Sequence, residues 1–267
     1  MSIIRTDSLQ CEQLAPFINM NENQLKHLYE PQEGVFVAES PVVIERAYDG
    51  GYIPRVLLTD ERHLKDVEYI AEGGAEIYVV PNEILEGIQG FEMTRGALCL
   101  FGRKKLPGLR EVCGEHGRIA VLEDVQNPTN VGAIFRSAAA MGVGAVILTG
   151  KCADPLYRRA IRVSMGNVFL IPWTIWEEDT TDLLDILKTN GYNLSAMALA
   201  DRSISIEDDR LKKSEKMAIV LGTESNGLRP DTMKACDYIV KIPMKEGVDS
   251  LNVAAAAAVA FWELRQR

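Results

Sequence analysis

The chain has 267 residues, enough for one large domain or two ordinary ones, and its 47% hydrophobic and 25% charged residues are typical of a globular protein. No apolar run reaches the roughly 20 residues of a membrane span, and the first residues lack the apolar core of a signal peptide, so we expect a cytoplasmic protein. The formal net charge of −9 argues weakly against a nucleic-acid partner, although it is only an average over the surface.

Residues 1–105 are predicted to form a small α/β domain. Apolar runs bounded by polar residues predict strands in the segments GVFVAES, PRVLLTD, AEIYVV and GALCLFG. A Ser-Pro start and a Gly-Gly stop predict a helix in SPVVIERAYDGG, and PNEILEGIQG is predicted to be a shorter helix. The segment RKKLPGLREVCGEHG follows; it is basic and rich in glycine, and we place a linker within it at residues 106–117.

Residues 118–267 are predicted to form a second α/β domain. Strands are predicted in RIAVLEDV, GAVILTG, VFLIPW, YNLSAMAL, MAIVLG and YIVKIPM. Helices are predicted at residues 130–141 and in PLYRRAIRVSMG, DLLDILKTNG, PDTMKACD and SLNVAAAAAVAFWELRQR. Continuous apolar strands that alternate with helices indicate a mostly parallel sheet with helices on both faces. Such sheets bind ligands beyond the carboxyl ends of their strands.

Cysteine and histidine usage argues against several chemistries. The five cysteines are scattered and form no CxxC pair, which favours reduced thiols over disulfides or a metal site, and we predict no metal. None of the three histidines lies after residue 116. A site in the second domain is therefore not expected to use Ser-His-Asp, Cys-His or HExxH chemistry.

The segment VQNPTNVGAIFRSAAAMGV, residues 125–143, places a single arginine, Arg136, in an otherwise apolar helix. Asn130 or Thr129 is a good N-cap for this helix. Arg136 follows Asn130 by six residues, roughly 9 Å along the axis at about 1.5 Å per residue. Because helical side chains lean towards the N-terminus, the guanidinium can reach the mouth of the loop. A buried salt bridge is the alternative explanation of this arginine.

Two further loops follow predicted strands. The segment VLGTESNGL places Gly222 and Gly227 where a backbone can approach a ligand closely, but it lacks the GxGxxG pattern and the lysine of a phosphate-binding loop. The segment IPMKEGVDSLN leads into an alanine-rich helix, for which Ser250 or Asp249 is the expected cap. Taken alone, Ser250 and Asn252 indicate only helix capping.

Together the three loops resemble, in order and spacing, the three motifs of the SpoU (TrmH) family of RNA ribose 2′-O-methyltransferases, which use S-adenosylmethionine. The segment RRAIRVSMGNVF is similar to the family's Arg-x-Ser-x-Gly segment at Arg162, Ser164 and Gly166. The resemblance covers residues 118–267 and implies an α/β fold whose C-terminal part is threaded into a trefoil knot, which general folding rules count against. It also implies a homodimer with the active site at the subunit interface. The arrangement of residues 1–105 resembles the substrate-binding domain of the ribosomal-RNA members.

The resemblance also implies roles for individual residues. The residues that match catalytic positions are Arg136, Asn130, Glu224, Ser250 and Asn252. The residues that match the methyl-donor site are Thr149, Leu221, Gly222, Gly227, Ile242, Met244 and Leu251. The sequence departs from the family pattern at Thr129 and at Ser225-Asn226, and neither departure removes a group with an assigned role.

Two roles compete for Arg136. The family's proposed mechanism makes it the general base, but a guanidinium is effectively always protonated in proteins. Our hypothesis is that Arg136 stays cationic, anchors the neighbouring phosphate and stabilises the forming alkoxide. Asn130 and Glu224 are expected to orient it by hydrogen bonds. Ser250 and Asn252, at a helix N-terminus, are suited to an anionic phosphate.

Two basic clusters stand out against the acidic average. They consist of Arg103, Lys104, Lys105 and Arg110, and of Lys151, Arg158, Arg159 and Arg162. Such runs are usually solvated faces. Given the resemblance, we predict instead that four residues of the matched segment contact RNA, namely Arg158, Arg159, Arg162 and Ser164.

The expected function is therefore S-adenosylmethionine-dependent methylation of a ribose 2′-hydroxyl in structured RNA. Ribosomal RNA is favoured over transfer RNA because of the additional N-terminal domain. One alternative is a non-catalytic RNA-binding or ribosome-assembly protein of the same fold, against which the complete set of catalytic positions argues. Another is a dinucleotide-dependent enzyme, against which the missing GxGxxG and acidic ribose partner argue.

Overall fold

The computed structural model describes residues 3–18, 20–28, 34–88, 96–223 and 226–266. Its contacts divide the chain into two compact units. The first consists of Met1–Lys105 and Leu156–Leu170, and the second of Leu106–Pro155 and Ile171–Arg267. Within the described ranges, no helix is long and apolar enough to cross a membrane.

The first unit contains a five-stranded mixed sheet. Its strands are β1 (Ile3–Arg5), β2 (Val35–Glu39), β3 (Pro54–Thr59), β4 (Glu76–Val79) and β5 (Ala97–Gly102). Its helices before residue 105 are α1 (Ala15–Ile18), α2 (Glu22–His27), α3 (Pro41–Asp49), α4 (Leu64–Val67) and α5 (Asn82–Gly87), with 3₁₀ turns at Glu12–Leu14 and Glu68–Gly73. The strand order is β1-β4-β3-β5-β2, in which β5 runs antiparallel to both of its neighbours.

The sequence predicted most but not all of this unit. The four predicted strands and the α3 helix are confirmed, and the end of the segment predicted to form α5 lies outside the described residues. Strand β1 and the helices α1, α2 and α4 were not predicted, because they are only three to six residues long and carry little periodicity.

The rest of the chain alternates between helices and strands. In chain order the elements are α6 (Leu109–Cys113), β6 (Arg118–Leu122), α7 (Pro128–Met141), β7 (Ala145–Thr149), α8 (Arg158–Val163), β8 (Trp173–Trp176), α9 (Thr180–Thr189), β9 (Asn193–Met197), β10 (Ile204–Ser205), α10 (Asp209–Lys212), β11 (Met217–Leu221), α11 (Pro230–Ala235), β12 (Tyr238–Lys241) and α12 (Val253–Glu263).

The second unit is built on a seven-stranded sheet of order β10-β12-β9-β11-β6-β7-β8, and every pair of neighbouring strands is parallel. This confirms the predicted α/β class with a mostly parallel sheet. The strands β6, β7 and β11 are buried along their whole length, as their largely apolar sequences require. The late strand β11 lies between β6 and β9, and β12 lies between β9 and β10. The trefoil knot stays a prediction.

The segment Leu156–Leu170 belongs to the first unit by its contacts, although it lies inside the predicted second domain. The Phe169 ring packs against Phe36 and Tyr52, with ring centroids 5.5 and 5.2 Å apart. Because Phe169 is held in this aromatic cluster, the predicted strand VFLIPW is wrong. Residues Asn167–Phe169 form a 3₁₀ turn instead, and β8 begins only after Pro172. The predicted domain limits, 1–105 and 118–267, stay predictions.

Two polar contacts hold the same segment. Arg158 pairs with Glu39 at the end of β2. Arg46 of α3 donates to the carbonyl oxygen of Met165 at 2.5 Å and to the Asn167 Oδ1 at 2.9 Å. Met165 has a φ of 55°, which is uncommon for a residue with a side chain. The Arg46 contacts therefore stabilise a turn that the local sequence does not favour.

Candidate active site

The predicted site residues of the second unit lie at the ends of strands that share one edge of the sheet, or in the loops and helices that follow these strands. The strands β6, β7, β11 and β12 belong to a sheet in which all neighbours are parallel, so their carboxyl ends lie at the same edge. The loops after β6, β11 and β12 carry the three sequence motifs. This edge is where ligands bind in sheets of this kind.

The first loop ends at the N-terminus of α7, which Asn127 caps. The Asn127 side chain accepts a hydrogen bond from the Thr129 N–H at 2.9 Å. Pro128 occupies the first helical position, where its missing N–H costs nothing. The prediction that Asn130 or Thr129 caps this helix is therefore wrong, because the helix begins at Pro128, two residues before the predicted start at residue 130.

Asn130 lies inside the first turn of α7 and is only 6% exposed. Its Oδ1 accepts a hydrogen bond from Asn252 Nδ2 at 3.2 Å. Its Nδ2 is buried and has no hydrogen-bond partner among the described residues. A buried donor of this kind costs about 1–3 kcal/mol unless a ligand satisfies it. Asn130 therefore offers a fixed donor at the site.

Asn252 is the N-cap of α12, and its Oδ1 accepts from the Ala254 N–H at 3.0 Å. The predicted cap, Ser250 or Asp249, is therefore wrong, because the helix begins at Val253. The Ala254 N–H fixes which end of the Asn252 amide is the acceptor, so its NH₂ group faces Asn130. Two motifs that lie 122 residues apart are thus joined by one hydrogen bond.

Arg136 lies on an exposed position of α7. Among the described residues, none forms a hydrogen bond or ion pair with it, so the alternative of a buried salt bridge is wrong. The structure brings Asn130 to Asn252 and not to Arg136. Glu224, the other residue expected to orient Arg136, lies outside the described residues, as does Ser225.

The second loop is closed tightly at its base. Thr223 and Gly227 form an antiparallel bridge, and the Gly227 N–H donates to the Thr223 carbonyl at 2.9 Å. A Cβ atom on Gly222 would lie 2.4 Å from the Gly227 carbonyl carbon, which no side chain tolerates. Gly227 has a φ of 65°, the region that favours glycine. Gly222 and Gly227 are thus required by the loop geometry, and Leu221 is the buried last residue of β11.

The third loop is more open. Ile242 and Met244 are half-buried, whereas Ser250 and Leu251 are exposed, Leu251 at 43%. No hydrogen bond involves the Ser250 side chain in the described part of the chain. The exposed Leu251 leaves apolar surface in this loop available to a ligand.

Thr149, at the end of β7, is tied to the first loop. Its Oγ1 donates to Asp124 Oδ1 at 2.9 Å and accepts from the Asp124 N–H at 3.0 Å. Asp124 has a φ of 57°, a conformation that costs free energy in a residue with a Cβ and often marks functional sites. Thr149 is 4% exposed, and its hydrogen bonds to Asp124 hold this turn in shape; its contact with the methyl donor stays a prediction.

Sequence reasoning missed three residues of this edge: Glu123, Asp124 and Cys152. The Cys152 Sγ accepts from the Val125 N–H at 3.3 Å, and burial raises the pKa of this thiol, which keeps it protonated. Glu123 and Asp124 directly precede the first motif segment, so position was the only available hint for them, whereas Cys152 lies between two motif segments and carried no such hint. In the described ranges, no group of three or more His, Cys, Asp or Glu side chains could hold a metal ion.

The residues predicted to contact RNA lie in and beside α8 of the first unit. Ser164 is fully buried and its Oγ donates to the Ile161 carbonyl at 2.9 Å, which is a structural role in the turn. Arg158 is half-buried against Glu39, Arg162 is half-buried, and Arg159 is exposed. Contact of these residues with RNA stays a prediction.

Comparison with known proteins places these loops in one family. The model of the SpoU rRNA Methylase family matches residues 117–262, which include all three motif loops. An uncharacterized tRNA/rRNA methyltransferase of Mycobacterium tuberculosis is 36% identical over 233 residues, which are 86% of this chain and 81% of that protein. The 23S rRNA (guanosine-2′-O-)-methyltransferase RlmB of Xylella fastidiosa is 31% identical over 86% of this chain and 96% of its own length.

A solved structure of an rRNA methyltransferase has a similar fold over nearly the whole chain. The AdoMet-bound rRNA methyltransferase of Sinorhizobium meliloti superimposes with a TM-score of 0.82 at 25% identity. The match covers 98% of this chain and 97% of that chain. The similarity therefore extends over both units and not only over the motif-bearing one.

Proposed function

Because this chain belongs to the SpoU rRNA Methylase family, we propose that it transfers a methyl group from S-adenosylmethionine to a ribose 2′-hydroxyl of ribosomal RNA. The observation that carries this proposal is the family match over residues 117–262, which contain the three loops at one edge of the sheet. RlmB, 31% identical, is named for the same reaction on 23S rRNA. Mapping of a labelled methyl group in RNA tests the proposal.

The residues at the sheet edge fit a bound methyl donor. The closed turn from Gly222 to Gly227 lets the backbone approach the donor closely, and Leu251 offers an exposed apolar contact. We propose that these residues bind the donor together with Leu221, Ile242 and Met244. Thr149 supports the neighbouring turn. The bound donor would supply an electrophilic methyl group on a sulfonium.

We propose that Arg136 interacts with the reacting 2′-oxygen of the ribose. Its guanidinium is exposed and has no partner among the described residues, so it is available to the substrate. A cation at this position stabilises the alkoxide that forms as the 2′-hydroxyl loses its proton, and anchors the adjacent phosphate. A water molecule or another base takes the proton in this scheme, since guanidinium groups stay protonated.

Asn130 and Asn252 form a pair of polar side chains at the site. The hydrogen bond from Asn252 leaves the buried Asn130 Nδ2 as a donor for a substrate oxygen. Both residues lie at the N-termini of helices, whose dipoles favour negative charge. We assign this pair, with the exposed Ser250, to an oxygen or phosphate of the RNA, and we keep Glu224 as the residue proposed to orient Arg136.

We propose that the chain acts as a homodimer through the second unit. Along α12, Ala255, Val259 and Trp262 are exposed at spacings of four and three residues, which places them on one face of the helix. Val259 is 39% and Trp262 55% exposed, and this apolar stripe lies on the helix that follows Leu251. A second copy would cover the stripe and bring its own residues to the site. Sedimentation of the intact chain measures this association.

Replacing Arg158, Arg159 and Arg162 together with alanine is expected to weaken RNA binding about tenfold. Each arginine that contacts a phosphate releases counterions from the nucleic acid. The plot of log affinity against log salt concentration should therefore become less steep, by roughly 0.9 per lost contact on duplex nucleic acid. Arg158 would have to exchange its ion pair with Glu39 for a contact with phosphate. Filter binding of ribosomal RNA fragments over a salt series measures both quantities.

The control for this variant removes the same charge elsewhere. Lys188, Lys212 and Lys213 are exposed cations at the ends of α9 and α10, and we expect their triple alanine variant to bind RNA with nearly unchanged affinity. Equal losses in the two variants would mean that only net charge matters. Unchanged affinity in the arginine variant would remove α8 from the proposed RNA surface.

A further inference from the structure

Glu123 is a buried carboxylate at the site edge that the reaction scheme above does not use. It follows the last residue of β6 and is only 1% exposed. Its backbone N–H donates to the Leu221 carbonyl at 2.8 Å, which continues the pairing of β6 with β11. Glu123 therefore lies directly beside the point where β11 enters the second loop.

The Glu123 carboxylate holds the start of the helix that follows this loop. Its Oε2 accepts from the Arg229 N–H at 3.0 Å, and its Oε1 accepts from Arg229 Nε at 2.9 Å and from Thr232 Oγ1 at 2.5 Å. Arg229 is the N-cap residue of α11, and its own side chain makes no capping hydrogen bond. A side chain that follows a distant strand thus anchors the start of α11, through the backbone of its N-cap residue and the hydroxyl of Thr232.

Arg229 compensates the buried charge of Glu123. Partial burial lowers the pKa of Arg229, but its hydrogen bond to Glu123 and the carboxylate charge raise the pKa more, so the net shift is upward. Its guanidinium also donates to Thr180 Oγ1 at the start of α9. Ion-paired carboxylates with several hydrogen bonds are rigid anchors, and breaking one side of such a pair is costly.

Both ends of the second loop are consequently fixed by one residue. The backbone of Glu123 holds Leu221 at the start of the loop, and its carboxylate holds Arg229 at the end. Between them, the Thr223–Gly227 bridge and the close approach of Gly222 to Gly227 set the shape of the turn. A displacement of Arg229 would open this turn from its carboxyl side.

We infer that Glu123 is a positioning residue for the methyl donor: it holds the turn from Gly222 to Gly227 in the shape that binds the donor, through Arg229 and Thr232, without touching the donor itself. This inference rests on the proposed function, in which that turn is part of the donor site. Groups that orient binding residues by hydrogen bonds commonly affect affinity almost as much as the residues in contact.

The test measures the Kd of S-adenosylmethionine by calorimetry for a graded series of variants. Glu123→Gln keeps the shape of the side chain but presents an NH₂ group to one of its donors, and we expect the Kd to rise about tenfold. Glu123→Ala removes every contact of the carboxylate and should raise the Kd further. Thr232→Val removes one hydrogen bond of three and should have the smallest effect.

The matched control is Arg118→Lys, at the opposite end of the same strand. Arg118 is 5% exposed and donates to four carbonyl oxygens, of Gly117, Ser214, Glu215 and Leu264. Its replacement perturbs an equally buried charged group, so it should lower the unfolding temperature as the Glu123 variants do. Because it is remote from the loop, the Kd of the methyl donor should stay within about twofold of the wild type.

Three outcomes separate the inference from the proposed function. A raised Kd in the Glu123 variants with an unchanged Kd in Arg118→Lys supports the positioning role, and the unfolding-temperature shift caused by the donor should shrink in parallel. A Kd within twofold in Glu123→Gln and Glu123→Ala, while Gly222→Ala loses binding, overturns the inference and keeps the donor site. An unchanged Kd in Gly222→Ala as well would reject the donor site itself.

Discussion

Replacing Arg136 with alanine is expected to lower the rate of methyl transfer about 10³-fold, which is the upper range for loss of one group that stabilises a developing oxyanion. The side chain is exposed and makes no contact with any described residue, so its loss should change the free energy of unfolding by no more than about 0.5 kcal/mol. The affinity for S-adenosylmethionine should also be unchanged. Single-turnover rates, thermal unfolding and calorimetry measure the three quantities.

Lys188→Ala is the control for the Arg136 variant. It also removes an exposed cation. Lys188 lies in the last turn of α9 and pairs with Asp237. We expect its transfer rate to remain close to that of the wild type. A loss smaller than about tenfold in Arg136→Ala, or an equal loss in both variants, would contradict the assigned role of Arg136.

The pH dependence of Arg136→Lys separates the two roles of this residue. Lysine keeps the positive charge but loses the planar fork of donors, so a cationic stabiliser predicts a slower enzyme whose rate changes with pH as in the wild type. A general base predicts that one limb of the pH–rate profile disappears in the lysine variant. The loss of a limb would therefore reject our hypothesis and favour the base.

The Gly222→Ala substitution is expected to raise the Kd of S-adenosylmethionine about 100-fold. The new Cβ atom would lie 2.4 Å from the Gly227 carbonyl carbon and 2.6 Å from the Leu228 nitrogen, and these are backbone atoms that cannot turn aside. The turn must therefore open, and displacements of about 1 Å in such sites cost affinity or rate on the order of 10²-fold. Calorimetry with the methyl donor measures this effect.

Gly108→Ala is the matched control for this substitution. Gly108 has a φ of −69°, and a Cβ atom there would meet no atom within 4 Å. Its replacement adds the same methyl group without strain, so the affinity for the donor should not change. Donor binding that survives in Gly222→Ala would show that the turn from Gly222 to Gly227 is not part of the donor site.

The strands of the second unit could be predicted because a parallel sheet buries both faces of each strand. Segments such as AVIL and MAIVL are then apolar throughout, and they end where the polar residues begin. The position of the glycine-rich turn directly after β11 followed from that pattern, whereas a place for Arg136 at the carboxyl edge stays a prediction. The motif resemblance added the chemistry, which periodicity does not contain.

The predictions that failed concern segments whose structure depends on contacts between residues far apart in the sequence. The segment VFLIPW has a strand-like composition, but Phe169 packs against Phe36 and Tyr52, more than a hundred residues away. Both helix caps were misplaced because Asn127 precedes a proline and Asn252 lies closer to its helix than Ser250. Helix limits are the least certain part of such predictions, since several nearby polar residues can cap equally well.

Glu123 could not have been predicted as a functional residue. In the sequence it is one acidic residue next to a motif, and its partners Arg229 and Thr232 lie 106 and 109 residues further along the chain. Only the pairing of β6 with β11 brings them together. The same holds for the hydrogen bond between Asn130 and Asn252, which no spacing rule anticipates.

The most direct test of the account is to incubate the purified chain with ribosomal RNA and isotope-labelled S-adenosylmethionine, and then to map the label by mass spectrometry. We predict labelled methyl groups on ribose 2′-oxygens at one or a few nucleotides, and none when Arg136→Ala replaces the wild type. Label on a base, label on protein, or no transfer by a wild-type chain that binds the donor and the RNA would contradict the account.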